Sequence, residues 1–110
     1  MYKLVFFVPE EFLSRVKSAV FATGAGKIGD YDQCCWQVLG QGQFRPLSGS
    51  TPFIGESPDS NKEFGQITQV EEYRVEMVVA DEFIQPAIKA LKQSHPYEEP
   101  AYDVCRLENF

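Results

Sequence analysis

Glu72–Tyr73–Arg74–Val75–Glu76–Met77–Val78–Val79–Ala80 alternates in residue character over its whole length. Tyr73, Val75, Met77 and Val79 share one side of an extended chain, and Arg74, Glu76 and Val78 share the other. Asp81 follows and suits a helix N-cap. Ile84, Ala87, Ile88 and Leu91 then recur at helical spacing. Pro86 is compatible with that helix only near its start, where a missing N–H costs little. The helix runs into Ser94–His95–Pro96–Tyr97–Glu98–Glu99–Pro100–Ala101–Tyr102–Asp103–Val104. His95 and Glu99 each precede a proline and are biased away from the α region, so an extended, stiff corner is expected. Ala101–Leu107 reads as a further strand.

The upstream half repeats the pattern. Lys3–Val8 is a short β-forming run, with Leu4, Phe6 and Val8 on one face and Val5 and Phe7 on the other. Pro9 ends it. Glu10 and Glu11 favour a helix N-terminus, and Phe12, Leu13, Val16, Ala19 and Val20 form an apolar stripe. Gly24 is expected to cap that helix. After the glycine-rich run Gly24–Gly29, Gln33–Leu39 reads as a strand with Cys34, Trp36 and Val38 on one face. Residues 40–68, rich in Gly, Pro and Ser, are expected to form a long arm, mobile near Ser57–Lys62.

The order is strand, helix, strand, strand, helix, strand. It predicts an α+β, ferredoxin-like βαββαβ fold, a four-stranded antiparallel sheet with two helices on one face. The 110 residues fit a single domain, 1–110. The first strand is apolar on both faces, and the uncovered one calls for a cover. A second copy of the chain is the expected cover, with the arm as the alternative.

Composition excludes several classes. The formal net charge is −6 and no Lys/Arg cluster stands out, which argues against nucleic acid and anionic membrane surfaces. No apolar stretch is long enough to span a bilayer. The first strand starts at Lys3, which leaves no room for a signal peptide. Three cysteines, two of them adjacent, suit a reduced, cytoplasmic setting better than a disulfide framework.

Several separated motifs point together to one family. They are Gly24–Ala25–Gly26–Lys27–Ile28–Gly29–Asp30–Tyr31 with Cys34, and Gly40–Gln41–Gly42–Gln43–Phe44–Arg45–Pro46–Leu47 with Gly49 and Pro52. Ile54–Gly55–Glu56, Val70–Glu76, the corner through Val104, and Leu107–Glu108–Asn109 complete the set. Together they resemble the domain inserted in YqfO-type members of the Ngg-interacting-factor, or dinuclear-metal-centre hexameric, family. The resemblance covers nearly the whole chain and implies a domain similar to PII signalling proteins and CutA, hence a homotrimer. The family's metal centre lies in flanking domains that supply several histidines and carboxylates. This chain has one histidine. The expectation is therefore a free-standing insert without the family's catalytic metal chemistry, not an enzyme and with no cofactor.

The candidate residues divide into three sets. His95 with Glu98 and Glu99 could offer metal ligands, but adjacent glutamates in an extended segment point opposite ways. The plainer account is a rigid corner, with His95 at the helix end and Tyr97 packed. Cys34 and Cys35, with His95, are the alternative metal set, for a divalent or soft ion of the CutA kind. Alternation separates the two thiols, and Cys105 falls on the opposite sheet edge. The run Gly24–Gly29 could expose amides to an anion but lacks dinucleotide or Walker spacing, and a C-cap and turn explains it. The PII resemblance implies an effector cleft between subunits, lined by Gly26, Lys27, Gly29, Tyr31, Gly42, Arg45, His95, Tyr97 and Glu98. Lys27, Arg45 and Arg74 would serve an anionic small-molecule effector. Nucleotide hydrolysis, as named for full-length relatives, is the least favoured outcome.

Overall fold

The computed structural model describes residues 1–53 and 65–110. The expected order appears, as β1 (Tyr2–Val8), α1 (Glu10–Phe21), β2 (Trp36–Phe44), β3 (Thr68–Val79), α2 (Ile84–Ser94) and β4 (Tyr102–Arg106). The sheet order is β2-β3-β1-β4, antiparallel throughout. β2 and β4 are therefore its opposite edges. The alternation of β1 and β3 sets the register, with Leu4 opposite Met77, Phe6 opposite Val75 and Val8 opposite Tyr73.

Those residues face the helices. Leu4, Phe6, Val8, Val75 and Val79 pack with Val16 and Val20 of α1 and Ala87 and Leu91 of α2 in one core, and none is more than 1% exposed. Each buried aliphatic side chain contributes about 1.5–3 kcal/mol relative to exposure. The helix-facing stripes read from the sequence are thus the core.

Helix ends follow local chemistry. Pro9 is extended at the start of α1, and its carbonyl accepts the Phe12 N–H at 3.0 Å. α1 ends earlier than the glycine suggests. Ala22 is its C-cap, and Gly24, at φ +107°, donates its N–H to the Phe21 carbonyl at 3.0 Å. Asp81 does not cap α2. A single 3₁₀ turn, Asp81–Phe83, intervenes, and the Asp81 carboxylate pairs instead with the Met1 α-ammonium and with Arg106 at 3.7 Å.

The largest departure concerns residues 40–68. β2 begins at Trp36 and continues through Gly40 and Gly42 to Phe44, and β3 begins at Thr68. Glycine is a weak strand former, which made this stretch read as loop. Its ladder with β3 overrides that preference, pairing Gly40 with Glu72 and Gly42 with Val70. Gly42 also has a positive reason to be glycine, since a Cβ there would collide with the Glu72 carboxylate. At the other end, Gln33 sits at φ +54°, which interrupts an extended path and delays the strand. The twelve-residue β3 helps stretch the molecule to 55 × 24 × 22 Å. The segment expected to be mobile, Ser57–Lys62, lies outside the described residues.

The second sheet face is more mixed than expected. Val5 is only 5% exposed within the single chain, so it does not call for a second copy. Its cross-strand neighbours are Glu76 and Asp103, and Lys3 and Arg74 each pair with Glu76, at 3.4 and 3.6 Å. Towards the β2 edge the face stays apolar and open, with Trp36 59% and Val38 43% exposed.

Candidate functional site

The corner after α2 is built around His95. Its N–H continues the helix to the Leu91 carbonyl at 3.0 Å, and its backbone then turns extended, as expected before proline. Its ring is buried and spans two elements. The Tyr97 N–H donates to Nδ1 at 3.1 Å, so Nδ1 is an acceptor and the proton sits on Nε2. Nε2 donates to the Phe7 carbonyl of β1 at 2.6 Å. Burial holds the imidazole pKa below its ordinary value, and the Phe7 carbonyl partly opposes this. His95 is thus a neutral pin between the corner and the central sheet, with neither ring nitrogen open to a ligand.

Beyond His95 the corner bends through residues 96–99 rather than running straight. Glu98 and Glu99, expected to diverge, consequently line the same cleft. This cleft, of about 400 Å³, lies between the corner, the segment after β2, the exit of β1 and the start of β3. Phe7, Phe44, Phe53 and Tyr97 give it aromatic walls, and Glu72 and Arg45 line it as well. The segment after β2 is held in place from several sides. Leu47–Ser50 forms a turn with Gly49 at φ +90°, closed by the Ser50 N–H and Oγ on the Leu47 carbonyl at 3.1 and 2.7 Å. Thr51 donates its N–H and its Oγ1–H to the two oxygens of Glu98, at 3.1 and 3.2 Å. Phe53 packs edge-on against Phe12 of α1 at 5.5 Å and tilts toward Tyr97 at 6.4 Å.

Two groups in the cleft are electrostatically uncomfortable. Burial raises the Glu72 pKa. Tyr97 is raised by burial and then by the charge of Glu72, which lines the same cleft. The Tyr97 hydroxyl is nevertheless buried without a hydrogen-bond partner among the described residues.

The sequence candidates therefore fall into two groups. Arg45, Tyr97 and Glu98 line the cleft, Gly42 lies beneath Glu72, and His95 supports it from behind. Gly26, Lys27, Gly29 and Tyr31 are elsewhere. Gly26 donates its N–H to the Val78 carbonyl and accepts from the Cys34 N–H, both at 2.8 Å, so its amide is not offered to an anion. Ile28 and Tyr31 exchange two backbone hydrogen bonds in a tight turn. Val78 stands six residues from Glu72 on β3, roughly 20 Å away at strand spacing. One chain cannot close these two groups around a small ligand.

The alternative metal set is divided in the same way. Cys34 and Cys35 line a second cleft, of about 360 Å³, with Ile28, Trp36 and Glu76, while His95 is pinned at Phe7. Among the described residues, no three His, Cys, Asp or Glu side chains converge on a metal position. Cys105 sits on the far edge strand, β4.

Sequence reasoning missed Glu72, Phe7 and Phe53 as cleft residues. Glu72 was legible only as a strand position. Its role depends on Gly42 across the ladder, a pairing that local sequence does not reveal.

Comparison with known proteins places this architecture. The chain has the fold of CutA from Archaeoglobus fulgidus, named a periplasmic divalent cation tolerance protein (TM-score 0.65, 14% identity, covering 100% of this chain and 87% of that one). It also matches the PII-like protein CutA from Nostoc (TM-score 0.66, 16% identity, covering 99% and 83%). At these identities the likeness shows the fold alone, that of a PII/CutA-like α+β domain.

Sequence carries the relationship further. The chain is 43% identical over 105 residues to a GTP cyclohydrolase 1 type 2 homolog of Mycobacterium leprae, covering 96% of this chain and 26% of that protein. It is 40% identical over 109 residues to the Halalkalibacterium halodurans homolog, covering 99% and 27%. A Bacillus cereus protein related to NIF3 superposes with TM-score 0.79 at 37% identity, over 98% of this chain and 26% of that one. The chain is a homologue of the PII/CutA-like part of these NIF3-related, YqfO-type proteins, and it spans about a quarter of the length of the curated relatives it matches. No family model matches it.

Proposed function

We propose that the protein is a self-associating binding or regulatory module that takes up a small effector and has no catalytic centre of its own. The cleft beside Glu72 and Tyr97 carries this reading. It has the volume of a small-molecule site, aromatic walls and a few polar groups, the usual make-up of such sites. Its wall is held by Thr51 and Glu98, so it exists before any ligand arrives. Self-association is supported by the open apolar strip at Trp36 and Val38, and the family resemblance implies a homotrimer. In such an assembly the Gly26–Tyr31 turn of one subunit could meet the cleft of another, which a single chain cannot achieve. The three free cysteines support a reducing, cytoplasmic setting.

Neither a cofactor nor a resident metal is part of this proposal. The relatives' name invites a GTP-directed hydrolase, but the chain spans only a quarter of their length, and His95, its one imidazole, already has both ring nitrogens engaged. The CutA name invites divalent cations, but His95 is pinned at Phe7, away from the cleft that Cys34 and Cys35 line.

A thermal-shift screen of the purified protein tests the proposal, with nucleotides, phosphate, organic acids, amines and divalent metals as ligands. At least one small-molecule class is expected to raise the melting temperature, and no nucleotide to be hydrolysed with added divalent metal. No shift with any class would defeat the effector proposal. Metal uptake that depends on Cys34 and Cys35 would favour the cation-binding alternative.

A further inference from the structure

The geometry points to the chemical class of the effector: a small ligand with a flat apolar body and a positively charged, N–H-donating head, seated in the Glu72–Tyr97 cleft. This inference rests on the binding-module reading proposed above and sharpens it. It departs from the anionic effector expected from Lys27, Arg45 and Arg74.

Charge is the first argument. Glu72, Glu98 and Glu99 line the cleft against one cation among the described lining residues, Arg45, which already has an interaction of its own. Lys27 does not line it, and Arg74 is paired with Glu76 and stacked over Phe7 at 6.0 Å. A phosphate or carboxylate would enter a field of its own sign, whereas an amidinium or ammonium would enter one of opposite sign.

Unmet hydrogen bonding is the second. The Tyr97 hydroxyl is buried with no partner among the described residues, in a cleft that the Glu72 carboxylate also lines. An orphan buried hydroxyl is destabilising, and a ligand with N–H donors could serve both it and the Glu72 carboxylate. Glu98 is already committed to Thr51, which leaves Glu72 and Glu99 as charged acceptors in the lining, and of these Glu72 has its pKa raised by burial. Gly42 makes room for it, because any side chain there would push the carboxylate away. Shape is the third argument. Phe7, Phe44 and Phe53 offer ring faces and edges to a flat apolar body, and aromatic walls also favour a delocalised cation.

Benzamidine is the simplest probe of this class, with benzoate and inorganic phosphate as anionic counterparts. Each is titrated to millimolar concentration into the ¹⁵N-labelled full chain. Benzamidine is expected to shift the amide signals of Thr51, Glu72 and Tyr97 saturably, and benzoate and phosphate to leave them in place. Glu72→Gln should weaken benzamidine about tenfold or more, the loss of one charge-assisted contact. Tyr97→Phe should weaken it severalfold while leaving the protein as stable or more stable, because an unsatisfied hydroxyl is removed. That second variant separates a binding role from a folding role. No saturable effect of benzamidine at these amides would overturn the inference. Equal binding to Glu72→Gln, or a response to benzoate or phosphate in its place, would overturn it as well. The broad screen stands apart from these outcomes, since stabilisation by an anionic class would keep the binding module and discard only the cationic head.

Discussion

His95 shows how one residue can look catalytic and be structural. It is the only histidine in the chain and sits among tyrosines and carboxylates. Its two nitrogens, however, tie Tyr97 to Phe7, and burial holds it neutral. The folded state therefore binds a proton less readily than the unfolded chain. Its contribution to stability is full above the ordinary histidine pKa, about 6.5, and is lost as pH falls from there through the depressed folded value. Urea denaturation at pH 7.5, 6.5 and 5.5 should show stability dropping with pH, and His95→Gln should flatten that slope. His95→Ala should cost about 2–4 kcal/mol at pH 7.5, because the Phe7 carbonyl and Tyr97 N–H lose their partner. Gly26 is the second telling residue. It sits at φ +82°, and a Cβ would stand 2.7 Å from the Phe21 ring and 3.0 Å from the Cys34 carbonyl. Gly26→Ala should destabilise the fold by about 1–3 kcal/mol, measured as a lower denaturation midpoint. The glycine serves the turn's path, not an anion.

The elements differ in how openly their sequences declare them. β1, α1 and α2 have periodic apolar positions whose burial is strong enough to override local preferences, and they appear where periodicity placed them. β4 differs from its expected span by a single residue at each end. β2 departs further, running Trp36–Phe44 instead of Gln33–Leu39, because Gly40 and Gly42 are held by hydrogen bonds to β3 that no local pattern announces. The segment after β2 depends on a similarly distant contact. Thr51 and Glu98 are 47 residues apart, and their two hydrogen bonds are solvent-exposed. Such bonds contribute little to global stability. Glu98→Ala should lower the unfolding free energy by less than about 1 kcal/mol while markedly reducing hydrogen-exchange protection of the Thr51 amide. Unchanged protection there would show that Phe53 alone holds the wall.

At the level of the assembled molecule, the sheet has one covered face and one divided face. The part over β1 is lined by Lys3, Arg74 and Glu76, whereas the part at the β2 edge exposes Trp36 and Val38. Large apolar side chains held open beside an unpaired edge strand invite another chain. The double variant Trp36→Glu/Val38→Glu is expected to run as a monomer in light scattering at micromolar concentration, where the parent runs as an oligomer. Its far-UV circular dichroism should be unchanged, because neither side chain belongs to the helix-facing core. A parent protein that is already monomeric would refute the association and leave the cleft to be completed within one chain.

By itself the sequence determined the class of fold. Alternation at period two and apolar stripes at helical spacing are short-range properties, and they identify which faces must be buried whatever the final packing. The separated motifs likewise carried the likeness to the YqfO-type relatives, because order along the chain needs no coordinates. Only the tertiary structure decided the site. It placed Gly26–Tyr31 at one end of β3 and Arg45, Tyr97 and Glu98 at the other. It also brought two adjacent glutamates into one cleft and set Glu72 over Gly42 in the cleft that Tyr97 lines. The physical reason is that a cleft is made by contacts between residues dozens of positions apart. Their pairing is chosen by the register of the sheet and the packing of the whole chain, and no single stretch encodes it.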